Sequence, residues 1–157
     1  MLKYVDAKVV FAEVPDEVTL AINISNCPCH CKNCHSSYLA QDIGTELTFN
    51  EVRKLIKKNS GVSCIALMGG DAEPDKVNTL ASFIINHYNS IKVAWYSGRQ
   101  ELSKEIDLQN FDFIKLGSYK EEFGPLNSRT TNQRFYKVSG GELINITSKF
   151  WKHETEN

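Results

Sequence analysis

Four of the five cysteines in this 157-residue chain fall within the ten residues Asn26-Cys27-Pro28-Cys29-His30-Cys31-Lys32-Asn33-Cys34-His35. Read as Cys27, Cys31 and Cys34, they have the spacing C-x3-C-x2-C, which can set three thiolates around one corner of a metal cluster. Iron–sulfur clusters are held by cysteine thiolates, and a four-iron cubane normally takes four of them. Three protein thiolates leave one iron open, and an open position separates a reactive metal centre from a closed structural one. The same residues allow a structural zinc held by Cys27, Cys29, Cys31 and Cys34. Zinc sites, however, usually pair two short ligand elements across a longer spacer. Here Cys64 stands alone, and His87 and His153 are far apart. A disulfide framework fits less well still. The thiols are crowded and odd in number, and no secretory signal is expected from the first residues of the sequence.

At 157 residues the expectation is one domain over 1-157. A complete eight-stranded α/β barrel takes about 250 residues, so a barrel relative of this length is a partial, open one. The 18 basic and 19 acidic residues carry a net charge of −1 with no strong block of either sign. Neither nucleic acid nor an anionic membrane surface is therefore expected as a partner. No apolar run approaches the length of a membrane span, and the expected location is a reducing one, the cytoplasm.

Apolar periodicity orders the rest. Residues 7–13 and 18–25 read as strands joined by a turn at Pro15, and the second strand leads straight into the cysteines. Residues 36–39 read as a short helical turn. Thr48 and Glu51 form a capping box for a helix that continues through Val52, Leu55 and Ile56. A buried-type strand over 62–68 exits at Gly69-Gly70-Asp71, and a helix follows from Pro74 to about residue 89. A strand over 91–96 exits at Ser97-Gly98. A short helix is expected over 101–106, a strand over 111–116 ending at Gly117-Ser118, and a closing hairpin over 133–138 and 142–146. Strand–helix alternation after an initial hairpin predicts an α/β fold with a largely parallel sheet. The small, polar strand exits share the rim that carries the cysteines, where such sheets place their ligands.

In this order the motifs resemble those of the radical S-adenosylmethionine (radical SAM) enzymes, and in particular the glycyl-radical-enzyme activases that serve anaerobic ribonucleotide reductase. The similarity runs from about residue 14 to residue 138. Ile24-Ser25-Asn26-Cys27 leads into the cysteine spacing and His35, and Met68-Gly69-Gly70-Asp71 resembles a Gly-Gly-acid motif. Trp95-Tyr96-Ser97-Gly98 resembles an aromatic-Thr-Gly exit, residues 111–117 a hydrophobic strand ending in Gly, and residues 129–133 an Arg…Asn-Gln stretch. The resemblance implies an open partial (β/α) barrel of radical SAM type. It implies a [4Fe–4S] cluster on Cys27, Cys31 and Cys34. It also implies S-adenosyl-L-methionine (SAM) held by Asn33, Cys34, His35, Gly69, Gly70, Asp71, Ser97 and Gly98. The implied activity is reductive cleavage of SAM to a 5′-deoxyadenosyl radical, which takes the α-hydrogen of a glycine on the reductase's catalytic subunit. A flavodoxin-like electron donor is implied with it. Two departures stand out. Asn33 occupies a position often aromatic across the superfamily, so it offers the adenine no stacking partner. Cys29 is an additional thiol that can compete as a ligand.

Single residues also have plainer uses. Gly69-Gly70 can be an ordinary turn, Asp71 a helix cap, Ser97 the start of a helix and Cys64 a buried core thiol. Of Trp95 and Tyr96, which alternate on one strand, core packing is expected for one. Arg129, Asn132 and Gln133 can touch a cofactor or a partner, or simply form a surface loop. Two other classes stay open: a small radical SAM enzyme acting on a small molecule, and a non-enzymatic zinc or thiol redox module.

Overall fold

The computed structural model describes residues 2–26 and 41–151. The expectations for Cys27, Cys29, His30, Cys31, Asn33, Cys34, His35, the turn at 36–39 and the tail beyond residue 151 lie outside the described residues.

Two strands open the chain, Lys3–Val10 (β1) and Thr19–Ile24 (β2), paired antiparallel. A two-residue strand, Thr45–Glu46 (β3), adds to the outer edge of β1. Helix Phe49–Lys58 (α1) precedes strand Cys64–Met68 (β4), and helix Pro74–His87 (α2) precedes strand Lys92–Tyr96 (β5). A 3₁₀ turn, Leu108–Asn110, leads to strand Phe113–Leu116 (β6). The hairpin Arg134–Ser139 (β7) and Glu142–Asn145 (β8) completes one open sheet in the order β3-β1-β2-β4-β5-β6-β7-β8.

The sheet is mixed. β2, β4, β5 and β6 pair parallel, and both flanks are antiparallel. The expected parallel sheet is thus its centre. Those central strands lie side by side in chain order, so each crossover moves one place in the same direction. Right-handed crossovers of that kind all fall on one face of the sheet. Ile22, Ile65, Leu67, Val93, Trp95 and Ile114 cover that face and pack with Val52, Ile56, Val77, Leu80 and Ile84 of the helices. The opposite face has no α-helix among the described residues, only a short 3₁₀ turn, Thr147–Phe150, whose Phe150 packs against it. Its side chains are small where the strands are central: Ala21, Ala66 and Ala94 are in register across β2, β4 and β5. Val14, from the turn between β1 and β2, is fully buried in a cluster with Cys64, Ala66, Ala94, Phe113 and Phe135. That turn therefore folds back over the helix-free face.

Local signals explain most element ends. Thr48 caps α1, its hydroxyl accepting the Glu51 N–H at 3.1 Å. The capping box is only half made, because the Glu51 carboxylate accepts the Tyr4 hydroxyl at 2.7 Å. Pro74 opens α2. The helix expected over 101–106 does not form. Asn78 of α2 instead accepts the Asp107 N–H at 2.8 Å, and Leu102 and Ile106 pack into the core. A tertiary hydrogen bond and two anchored apolar side chains override weak local helix preference. β1 also begins four residues earlier than the strand expected from residue 7, because pairing with β2 and β3 fixes its length.

Candidate functional site at the C-terminal rim of the sheet

The C-terminal ends of β2, β4, β5 and β6 share one rim, since these strands are parallel. At the β2 exit, Asn26 takes a left-handed backbone conformation, φ 60°. Its N–H donates to the Gln41 carbonyl at 2.9 Å, and the Ser25 hydroxyl donates to the Ile43 carbonyl at 2.5 Å. The residues flanking segment 27–40 are therefore bonded to each other at the β2 exit. The stretch bearing Cys27, Cys31 and Cys34 leaves and rejoins the described chain at one point on this rim.

At the β4 exit, Gly69 and Gly70 have φ of +111° and +89°. A Cβ on Gly69 would come within 3.0 Å of the Ile24 carbonyl oxygen, and one on Gly70 within 2.5 Å of Val77 Cγ2. Their lack of side chains is thus required by the packing of β2 and α2. The Gly69 N–H donates to the Tyr96 carbonyl at 3.0 Å, and its carbonyl accepts the Trp95 indole N–H at 2.7 Å.

Asp71 does not cap α2; Glu73 occupies that position. Its buried carboxylate ties two strand exits together. One oxygen accepts the Ser97 hydroxyl at 2.5 Å, and the other accepts the Gly98 N–H at 2.9 Å. Ser97 Oγ in turn accepts the Arg99 N–H at 3.1 Å. A cleft of about 300 Å³ opens beside this tie, lined by Asp71, Pro74, Trp95, Ser97, Arg99 and Glu101 among others. Asp71, Ser97 and Gly98 thus meet at one place, with Gly69 and Gly70 directly before them.

Trp95 packs among the helix-side core, and Tyr96 points to the helix-free face, where its hydroxyl donates to the Glu13 carbonyl. Burial above all, with the Glu13 charge adding to it, raises the Tyr96 phenol far above its usual range. Cys64 is a core thiol, pushed up to about 12 chiefly by burial and then by the charge of Glu17. Asn132 donates to the Ser118 carbonyl at 3.0 Å, and Arg129 lies over the Trp151 ring at 5.5 Å. An apolar hollow of about 240 Å³ near α1 and α2, lined by Leu2, Leu47, Phe49 and Leu80 with Thr48, Lys76 and Thr79, has few groups able to do chemistry. The functional assignment therefore goes to the rim.

One rim residue was missed by motif and spacing. Lys115 lies on β6 in register with Tyr96, itself in register with Met68 of β4 and Asn23 of β2. It is only 7% exposed, and its ammonium donates to the Gly117 carbonyl at 2.8 Å and to Gln133 Oε1 at 3.1 Å. The available signal was strand alternation: Ile114 and Leu116 face the helices, so the lysine between them faces the other side.

No family model, curated protein or solved structure matches the chain.

Proposed function

We propose that this chain is a radical SAM activase that installs a glycyl radical on an anaerobic ribonucleotide reductase. The observation that carries the proposal is the pairing of Asn26 with Gln41. It brings both ends of a segment with C-x3-C-x2-C spacing to the rim where Asp71, Ser97 and Gly98 are already joined. In this reading the singly wound sheet, with α1 and α2 on one face, is an open partial (β/α) barrel of radical SAM type.

Cys27, Cys31 and Cys34 would hold the [4Fe–4S] cluster. Asn33, His35, Gly69, Gly70, Asp71, Ser97 and Gly98 would surround SAM. When bound, these groups would supply one electron and a 5′-deoxyadenosyl radical able to take the α-hydrogen of the partner's glycine; side chains alone cannot supply that chemistry. The chain's own work is placement and exclusion of water. Asp71 fixes Ser97 and Gly98 relative to β4, so the β4 and β5 exits move as one unit. The helix-free face admits the partner. Val14 fills its middle, so the glycine-bearing segment would enter by the cleft of about 690 Å³ whose lining includes Phe11, Glu13, Tyr96, Leu126 and Phe150. A flavodoxin-like protein would donate the electron. No helix among the described residues is long and apolar enough to cross a membrane.

The test is anaerobic incubation of the iron-reconstituted protein with SAM and dithionite, with 5′-deoxyadenosine as the product measured. The wild type should form it and Cys31→Ala should not. A wild type that forms none, with its iron loaded, would remove the proposal. Transfer to the partner is read separately, as a glycyl radical signal on the reductase subunit. Cross-links to that subunit falling only on the helix face would contradict the proposed entry side.

A further inference from the structure

We propose that the cleft at the open end of the closing hairpin binds the phosphate group of a small molecule. The cleft has a volume of about 440 Å³ and is lined by Arg129, Arg134, Asn145, Thr147, Ser148 and Trp151. That volume lies in the range of small-molecule sites. The cleft shares no residue with the tie of Asp71, Ser97 and Gly98, so the inference stands apart from the radical SAM reading.

The fold brings these residues together by simple means. Arg134 opens β7 and Asn145 closes β8, so hairpin pairing sets them at the same end, opposite the Gly140-Gly141 turn. The 3₁₀ turn Thr147–Phe150 is tied back to β7 there. Thr147 Oγ1 accepts the Phe135 N–H at 2.9 Å, and the Phe135 carbonyl accepts the Ile146 N–H at 2.8 Å. Trp151 follows that turn, with Arg129 over its ring at 5.5 Å.

The walls offer hydrogen-bond donors and few acceptors. No carboxylate lines the cleft. Asn145 Oδ1 is already spent, accepting the Thr147 N–H at 3.0 Å and the Thr147 hydroxyl at 2.6 Å. That leaves the amide N–H groups as the contribution of Asn145. Arg134 bonds through Nη1, to the Thr131 carbonyl at 2.6 Å and the Gln133 carbonyl at 2.8 Å. These neutral oxygens hold the guanidinium in place, and its Nε and Nη2 carry three further N–H donors. Ser148 adds a hydroxyl. The Trp151 indole N–H is buried with no hydrogen-bond partner. A buried donor is seldom left unmet in a native fold, and a bound ion or ligand is one reason for it.

A set of donors around a cation selects an anion. A guanidinium takes phosphate oxygens through two parallel N–H bonds, and such charge-assisted bonds are about twice as strong as neutral ones. The other donors come from β8, the 3₁₀ turn and Trp151, so they converge from several directions. A tetrahedral phosphate meets such a set with oxygens pointing several ways, whereas a carboxylate offers two oxygens in one plane. The phosphate can be free or carried by a nucleotide, and the two sources are separated by experiment.

The test is titration calorimetry of the anaerobically reconstituted full chain at low salt, where charge attraction is least screened. The probes are inorganic phosphate, ATP, adenosine and succinate. Phosphate, ATP or both should bind, with adenosine and succinate at least about 10-fold weaker than the better of them. Similar affinities for phosphate and ATP assign the site to a single phosphate group, and a much tighter ATP assigns it to a nucleotide. Arg134→Ala should weaken that binding about 10- to 100-fold. Trp151→Phe, which keeps a ring and loses the N–H, should weaken it about 3- to 10-fold. Lys137→Ala removes an equal charge from an exposed position of β7 outside the cleft and should change it less than about 2-fold. If Arg134→Ala does not fold, Arg134→Gln keeps a donor toward the two carbonyls and carries the same comparison. The inference is overturned if neither phosphate nor ATP binds, or if adenosine or succinate binds as tightly as they do. Equal losses in Arg134→Ala and Lys137→Ala, or no loss in Arg134→Ala, overturn it as well.

Discussion

Asp71 and Ser97 share a 2.5 Å hydrogen bond although they leave different strands of the sheet. With the Gly98 N–H on its second oxygen, the Asp71 carboxylate makes the β4 and β5 exits a single structural unit. Removing it strands buried donors, each costing about 1–3 kcal/mol. Asp71→Ala should therefore lower the unfolding free energy by about 2–4 kcal/mol, and Asp71→Asn by roughly half that, as read from urea denaturation. Equal stability of wild type and Asp71→Ala would show that the tie has no energetic weight.

Gly70 is a packing requirement of α2. An alanine Cβ there would sit 2.5 Å from Val77 Cγ2, with φ at +89°. Overpacking and a left-handed non-glycine residue each cost about 1–3 kcal/mol. Gly70→Ala should lose about 2–4 kcal/mol. In the double variant with Val77→Ala the loss should be smaller than the sum of the two single losses, by about 1 kcal/mol. Strict additivity would mean the contact is not the cause.

Stability should fall in alkali, and Cys64 should contribute to the fall. Its folded-state pKa is about 12, against about 8.5 for an ordinary cysteine. The folded chain holds this proton more tightly than the unfolded one. The contribution is therefore complete below about pH 8.5 and is lost as pH rises toward the folded value. In Cys64→Ala the decline in unfolding free energy over that window should be shallower by about 1.4 kcal/mol per pH unit. Tyr4, raised to about 12 by burial and by Glu51, acts over the upper part of the same window and is present in both proteins. Parallel slopes would contradict the assignment to Cys64.

The turn between β1 and β2 should be held by Val14 alone among its apolar residues. Val14 is fully buried, whereas Phe11 is 74% exposed. Val14→Ala should cost about 1–3 kcal/mol, and Phe11→Ser no more than about 0.5 kcal/mol, by thermal or urea unfolding. The reverse ranking would mean that the turn does not cover the helix-free face.

The strand–helix alternation was legible because each central strand is a short apolar run closed by a glycine or small polar exit, and because α1 and α2 carry ordinary start signals. The 101–106 region misled because its fate depends on Asn78, far away in sequence. The antiparallel flanks were partly hidden for the same reason: strand direction is settled by pairing, and β3 is too short to carry a pattern. At the site, Asp71 and Ser97 could be named from the sequence, but not their bond, which joins residues of different strands. Lys115 was overlooked because a single lysine in an apolar strand carries no spacing signature. Only the register that places it beside Tyr96 reveals its position.

The central claim is an iron–sulfur cluster with one iron open to SAM on the Cys27, Cys31 and Cys34 stretch. Electron paramagnetic resonance of the anaerobically reconstituted, dithionite-reduced protein, with and without SAM, tests it most directly. The account predicts a [4Fe–4S]⁺ signal that changes shape when SAM is added. A colourless, zinc-bound protein, or a cluster signal indifferent to SAM, would contradict it and make the cysteine stretch a structural or redox site.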